Sequence, residues 1–212
     1  LGISTLLLTG CFFKRDSMET IDIYTTIYPI NYLTTYLYGD YSKVHSIYPS
    51  GVNINEFNLS DKKISEYSKS DLFIFNSLDQ DRDYAVSMIN KNNNLKIIDT
   101  SLSITYDYSV TELWINPNNY LMMAQNIKNG LNEYISDPYI NKEIDKKYEE
   151  LNKSLSKLDA YLKETLKDAE YNTIVTDSDE LRFLENLLTD KSFTVISLDK
   201  TDEVNITYTV KD

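Results

Sequence analysis

From Tyr139 to Lys167 the chain has neither glycine nor proline. Within that stretch apolar residues fall at Ile144, Tyr148, Leu151, Leu155, Leu158, Leu162 and Leu166, in steps of three and four. Such steps place them on one face of a single helix. At 1.5 Å per residue the helix runs roughly 40 Å, longer than a small domain needs. A coiled-coil seam shares this spacing, but one so short is a weak dimeriser. The stretch therefore reads as a spine lying across two lobes, with Leu155 and Leu158 expected to be buried at its middle.

Ahead of Pro138, strand and helix patterns alternate. "IDIYTTIYPI" is a β-branched and aromatic strand ending at Pro29. "INYLTTYLYGD" is a helix stopped by Gly39, and "KVHSIYPSG" a strand closed by Pro49 and Gly51. "SDKKISEYSKS" is a short helix with Ser60 as its N-cap, and "DLFIFNS" an apolar run of buried-strand length. "RDYAVSMINKNN" and "LKIIDTS" repeat the helix–strand order, and "NPNNYLMMAQNIKNGLNEYI" is a helix with Pro117 in its first turn. After the spine, "YNTIVTDS", "DELRFLENLL" and "FTVISLD" read as strand, helix and strand. Alternation of this kind predicts parallel sheets covered on both faces. The expected organisation is a two-lobed α/β fold. Residues 20–137 form an N-terminal lobe, 138–168 a long connecting helix, and 169–212 the opening of a second lobe inside which the chain stops.

Composition narrows the function. A net charge of −12 leaves nothing to neutralise phosphates, so nucleic acid is excluded as a partner, and a polybasic membrane patch is absent. There is one histidine, and there is no Gly-rich phosphate loop, no Gly-x-Ser-x-Gly elbow and no His-Glu-x-x-His. The chain therefore reads as a non-enzyme. Its one cysteine excludes a disulfide framework and a Cys-based zinc site.

That cysteine sits in "LLLTGCFF". The order Leu8-Thr9-Gly10-Cys11, after an apolar stretch of signal-peptide size, resembles the bacterial lipobox. Small residues precede the cysteine because the signal peptidase must draw that backbone into a narrow site. The resemblance implies that 1–11 is the end of a signal peptide whose start is clipped and that 12–19 is a polar tether. It also implies a lipidated Cys11 holding an exported protein on the outer face of the cytoplasmic membrane or cell surface.

The order of segments also resembles a family. Thr25-Thr26-Ile27-Tyr28-Pro29, "GDYSKVHSIYPSGVNINEFNLS", "SKSDLFIFNS", "ELWINPNNYLMMAQNIKNGL" and "IVTDSDELRFL" are similar, in unbroken order, to stretches of the metal-binding solute receptors of bacterial ABC importers. These are zinc and manganese receptors, some described as lipoprotein adhesins. The resemblance implies a monomer that takes up a divalent cation, zinc or manganese, and hands it to permease and ATPase subunits. In the family three histidines and a carboxylate hold the metal. The three histidine positions fall here on Asn55, Glu112 and Ser178, and the fourth ligand lies beyond Asp212. An oxygen set suits a hard cation better than zinc, and Asp177 and Asp179 stand ready to add to it. Equally, Asp177, Ser178 and Asp179 fit as caps and dipole partners of a helix start, which is the preferred reading. His45, in the strand pattern "KVHSIY", reads as a packed or half-exposed strand residue and not a metal ligand, and Trp114 as structural. Two functions stay open: a receptor with replaced ligands, and a lipoprotein of the same fold that has lost metal binding and serves adhesion or interaction.

The anchor is testable. Expressed with a complete signal sequence, the protein should enter the detergent phase and incorporate palmitate, and Cys11→Ala should abolish both. Wild-type protein that stays aqueous and unlabelled would remove the lipid anchor.

Overall fold

The computed structural model describes residues 18–198 except 55, 79 and 108. Cys11 and Asn55 lie outside the described residues. The chain forms a four-stranded, wholly parallel sheet of order β2-β1-β3-β4: β1 (Ile21–Thr25), β2 (Ser42–Ser46), β3 (Leu72–Phe75) and β4 (Lys96–Asp99). β1 runs in register with β2 from Ile21 opposite Ser42 to Thr25 opposite Ser46. The central β3 is buried at every residue, as its unbroken apolar run requires. On its one face Phe73 and Phe75 stack with ring centroids 5.6 Å apart.

Strand order sets where the helices go. Right-handed crossovers put α1 (Tyr28–Tyr38), which leads from β1 out to β2, on one face. The chain then reverses direction, so α2 (Asp61–Tyr67) and α3 (Asp81–Lys91) cover the other face, where they pack on each other. α5 (Pro117–Tyr134) joins α1 and packs on β4. It comes so close that a Cβ on Gly130 would stand 2.5 Å from Ile98 Cγ1. Caps follow the sequence: Ser60 Oγ accepts from Lys63 N–H at 3.4 Å, and Asn116 Oδ1 accepts from Asn118 N–H at 3.0 Å.

Two local expectations are corrected. Tyr28 and Pro29 belong to α1 and not to the first strand, because proline in the first turn gives up only an amide that would have no helical partner. The segment after Thr173–Thr176 is a 3-10 helix, Asp179–Asn186, not an α-helix. A short α4 (Glu112–Ile115) also precedes α5. Met18, in the stretch read as tether, is buried in the core, where Tyr38 Oη donates to its carbonyl.

The spine exists as one uninterrupted helix, α6 (Pro138–Lys167), about 45 Å long. Asp137 Oδ1 caps it by accepting from Tyr139 N–H at 2.7 Å, and Lys191 Nζ closes it by donating to the carbonyls of Leu166 and Lys167 and to Ala169 just beyond. Its apolar face is not buried throughout. Ile140, Ile144 and Tyr148 sit in the first core and Leu166 in a second, small core with Phe183, Leu184, Phe193 and Val195. That second core covers β5 (Thr173–Thr176) and β6 (Thr194–Ser197), a parallel pair. Leu155 is only half-buried and Leu158 is 45% exposed, contrary to expectation, because the middle of the helix bridges the gap between the two cores. Ile144→Ala should therefore cost about 2–5 kcal/mol in urea unfolding. Leu158→Ala should stay within about 0.5 kcal/mol. Equal losses would mean that the cores are not divided in this way.

Candidate functional site

All four strands of the large sheet end at one edge, so the loops that follow them gather there, where open parallel sheets bind ligands. The loops after β3 and β4 are tied together by Asp99, whose Oδ1 accepts from Ser101 N–H at 2.9 Å, Ser101 Oγ–H at 2.7 Å and Ser77 N–H at 3.2 Å. From there the chain runs to Glu112, the first residue of α4, which is only 3% exposed. Its Oε1 accepts from Ser109 N–H at 3.1 Å and its Oε2 from Asp107 N–H at 3.3 Å. Ser109-x-x-Glu112 is half of a capping box: the glutamate reaches back to the serine amide, while Ser109 Oγ takes the amide of Thr111 at 3.3 Å. That pattern was available in the sequence and explains the carboxylate as a fastener of its own loop.

Glu112 lines a cavity of about 260 Å³ that reaches across to the second lobe, with Asp107 and Asn118 on one side and Phe183 and Asn186 on the other. Lys163 of α6 enters the same cavity. Its ammonium pairs with Asp159 Oδ2 at 2.7 Å, and Asp159 Oδ1 in turn accepts from Asn118 Nδ2 at 3.0 Å. Ser178 is half-buried ahead of the 3-10 helix and does not line this cavity. Its side chain makes no capping bond, and its carbonyl accepts from Thr176 Oγ1 at 2.6 Å. Asp177 is exposed, and Asp179 faces Arg182 at 3.8 Å. The cap role expected of Ser178 is thus not made, and the structure sets Glu112 in the cleft without Ser178 beside it. Among the described residues, no group of three or more His, Cys, Asp and Glu stands close enough together to hold a metal ion.

His45 lies on the edge strand β2, its ring 5.3 Å from that of Tyr24 and its Nε2 3.7 Å from Asp22 Oδ1, with nearly half its side chain in solvent. Trp114 packs half-buried against the main core.

A clamp that the sequence did not reveal holds the loop after β2 at Tyr48, Ile54 and Leu59. Three residues from the start of α3 grip it. Tyr48 Oη donates to Asp81 Oδ1 at 2.6 Å, Gln80 Nε2 donates to the Ile54 carbonyl at 2.7 Å, and Tyr84 Oη accepts from Leu59 N–H at 3.2 Å. Asp81 is fully buried. Burial, and then the hydrogen bond to Asp81, push the Tyr48 phenol well above its usual range. In an acidic chain one more Asp carries no signal, and only the fold shows that this one is inside.

Two parallel α/β lobes joined by one long helix, with a cleft at the carboxyl ends of the strands, define the two-lobed receptor fold of periplasmic binding proteins. The chain belongs to the family of the zinc-uptake complex component A, periplasmic, whose model matches residues 23–205. Among solved structures, the metal-dependent lipoprotein YcdH from Bacillus subtilis is similar with a TM-score of 0.70 at 19% identity, covering 86% of this chain and 68% of that one. Zn(II)-bound AdcA from Streptococcus pneumoniae is similar with a TM-score of 0.68 at 18% identity, over 84% of this chain and 39% of AdcA. The laminin-binding protein Lbp of Streptococcus pyogenes gives 0.65 at 19%, over 84% of this chain and 68% of Lbp. At these identities the likeness is one of fold. No curated protein sequence matches the chain.

The clamp has a measurable sign. Tyr48→Phe should cost about 1–3 kcal/mol in urea unfolding at neutral pH, since it leaves a buried carboxylate short of a donor. Because the folded phenol titrates above the unfolded value near 10, its stabilisation is present below about pH 10 and fades above it. Tyr48→Phe should remove part of the alkaline loss. An unchanged alkaline limb would show that Tyr48 is not buried as described.

Proposed function

We propose that this chain is the solute-receptor component of a divalent-cation ABC importer, tethered outside the cytoplasmic membrane through Cys11 and handing its cargo to a permease and ATPase. The observation that carries the reading is the family match over residues 23–205, and it is supported by a carboxylate, Glu112, buried in the inter-lobe cleft, where the resemblance implies a ligand. By the resemblance the other two positions are Asn55, outside the described residues, and Ser178, outside this cleft, and at most they would add neutral oxygens. One charge and two neutral oxygens suit a hard cation and bind it weakly, since tight zinc sites need three or four well-placed N, S or O donors.

A second reading, a surface lipoprotein of the same fold used for adhesion or interaction, is favoured by what already occupies the cleft. Both Glu112 oxygens hold main-chain amides, and the Lys163 ammonium shares the cavity. A structural neighbour is described as a laminin-binding protein, which fits such a role.

Calorimetric titration of the full chain with zinc, manganese and calcium separates the two. The receptor reading expects weak binding, with no zinc or manganese complex tighter than micromolar, and loss of that binding in Glu112→Ala. A ligand at 100 times its dissociation constant adds about 2.7 kcal/mol, so a melting shift at millimolar metal is readable. Metal without effect at millimolar concentration would favour the second reading. A submicromolar zinc complex lost in Glu112→Ala would show a strong site with replaced ligands, overturning the weak one proposed.

A further inference from the structure

A cavity larger than the Glu112 cleft lies away from it. It measures about 490 Å³ and opens at the carboxyl ends of β1 and β2, walled by Ile27, Tyr28, Tyr48 and Val52, with Asn31 and Ser50 among its polar groups. Among the described residues, none that lines it carries a charge, on a chain of net charge −12. The one ionisable group of unusual setting, the Tyr48 phenol, is held protonated by burial and by Asp81. Asn31 Nδ2 donates to Thr25 Oγ1 at 3.0 Å. Its Oδ1 and the Ser50 hydroxyl have no hydrogen-bond partner among the described residues.

Tyr28 also belongs to a second feature. It is 74% exposed and begins a row on α1 with Tyr32, 47% exposed, and Tyr36, half-buried, at successive i, i+4 positions. Ring centroids are 6.3 Å apart from Tyr28 to Tyr32 and 6.4 Å from Tyr32 to Tyr36, the latter pair stacked. Tyr120 supports the start of the row from α5, its Oη donating to the Pro29 carbonyl at 3.1 Å. The result is a track of aromatic rings leading out of an uncharged pocket.

We infer that this pocket and track bind a neutral oligosaccharide. Sugar rings present C–H faces that lie on aromatic rings and hydroxyls that both donate and accept, which matches tyrosines beside an amide oxygen and a serine hydroxyl. An anionic ligand would meet no cation among the described residues that line the pocket, on a strongly negative chain. A cationic ligand would find no carboxylate in the pocket to offset its desolvation. A purely apolar ligand would leave Asn31 and Ser50 without partners. No described residue that lines the pocket belongs to the cation reading, and titration in EDTA lets either fail without the other.

The test is saturation-transfer NMR and calorimetry on the full chain in EDTA. The probes are maltotetraose, cellotetraose and chitotetraose, with tetragalacturonate as the anionic control and a neutral Ala-Ser-Leu-Ala peptide as the non-sugar control. At least one neutral tetrasaccharide should bind with millimolar affinity and tetragalacturonate should bind more weakly. Tyr28→Ala and Tyr32→Ala, at exposed positions that leave the core intact, should each weaken binding about tenfold, the equivalent of about 1.4 kcal/mol. Tyr171→Ala, 69% exposed in the second lobe, should leave it unchanged. No binding by any neutral tetrasaccharide, stronger binding of tetragalacturonate or the peptide, or binding indifferent to Tyr28→Ala would overturn the inference.

Discussion

The two ends of α6 are buried in different cores, and the rest of the structure is arranged around that fact. Ile140, Ile144 and Tyr148 are part of the packing of the large sheet, and Leu166 is part of the packing of the small one. A single rigid rod therefore links the cores through apolar contact at each end. The hydrophobic effect acts on area removed from water, so the half-exposed middle adds little to stability while it spans from one core to the other, which Ile115 of α4 also reaches. The cleft that Glu112 and Lys163 share lies between those cores.

On the first lobe the same economy of packing fixes the binding edge. Parallel strands must all finish on one side, and the helices on both faces leave only that edge free for irregular backbone. The loops there are held by side chains, not by sheet pairing: Asp99 ties those after β3 and β4, Glu112 closes the far end of the latter, and Tyr48, Gln80, Asp81 and Tyr84 clamp the one after β2. A buried carboxylate is costly unless it accepts hydrogen bonds, so each of these doubles as a strong local fastener. This bears on the cation reading. A carboxylate already holding two amides must share or release them before it can hold a metal ion.

The neutral pocket lies on the same edge but draws on another chemistry. Its walls come from the β1–α1 junction and the clamped loop, and its outer lip is the first ring of the α1 tyrosine row. Exposed aromatic rings in register are uncommon on a surface with no partner, since apolar faces in water carry a cost that single scattered residues keep small. Tyrosine is frequent in this chain, so frequency alone means nothing. The i, i+4 spacing beside an uncharged cavity is what gives the row its meaning.

Much of this was legible in the sequence, for a plain reason. Periodicity and caps are local, and local rules decided the parallel alternation, the buried β3, the Ser60 and Asn116 caps and the unbroken length of α6. The Ser109-x-x-Glu112 pattern was equally local and readable. Where burial depends on what arrives from elsewhere in the chain, pattern reading failed. Leu155 and Leu158 have the spacing of a core face yet cross a gap, and Asp81 sits among many solvated carboxylates yet is fully buried. The segment after β5 has a helical pattern but winds as 3-10. Meeting points were invisible for the same reason. Glu112 was nameable from the sequence, but only tertiary packing puts Lys163 in its cleft, leaves Ser178 outside it, and joins Tyr28 of the aromatic row to a pocket built from residues of the next strand and loop. The sequence by itself determined which segments are helix and strand, because those depend on neighbours a few residues away. Which side chains share a cavity was decided by the long-range packing of sheets and helices, which no local pattern encodes.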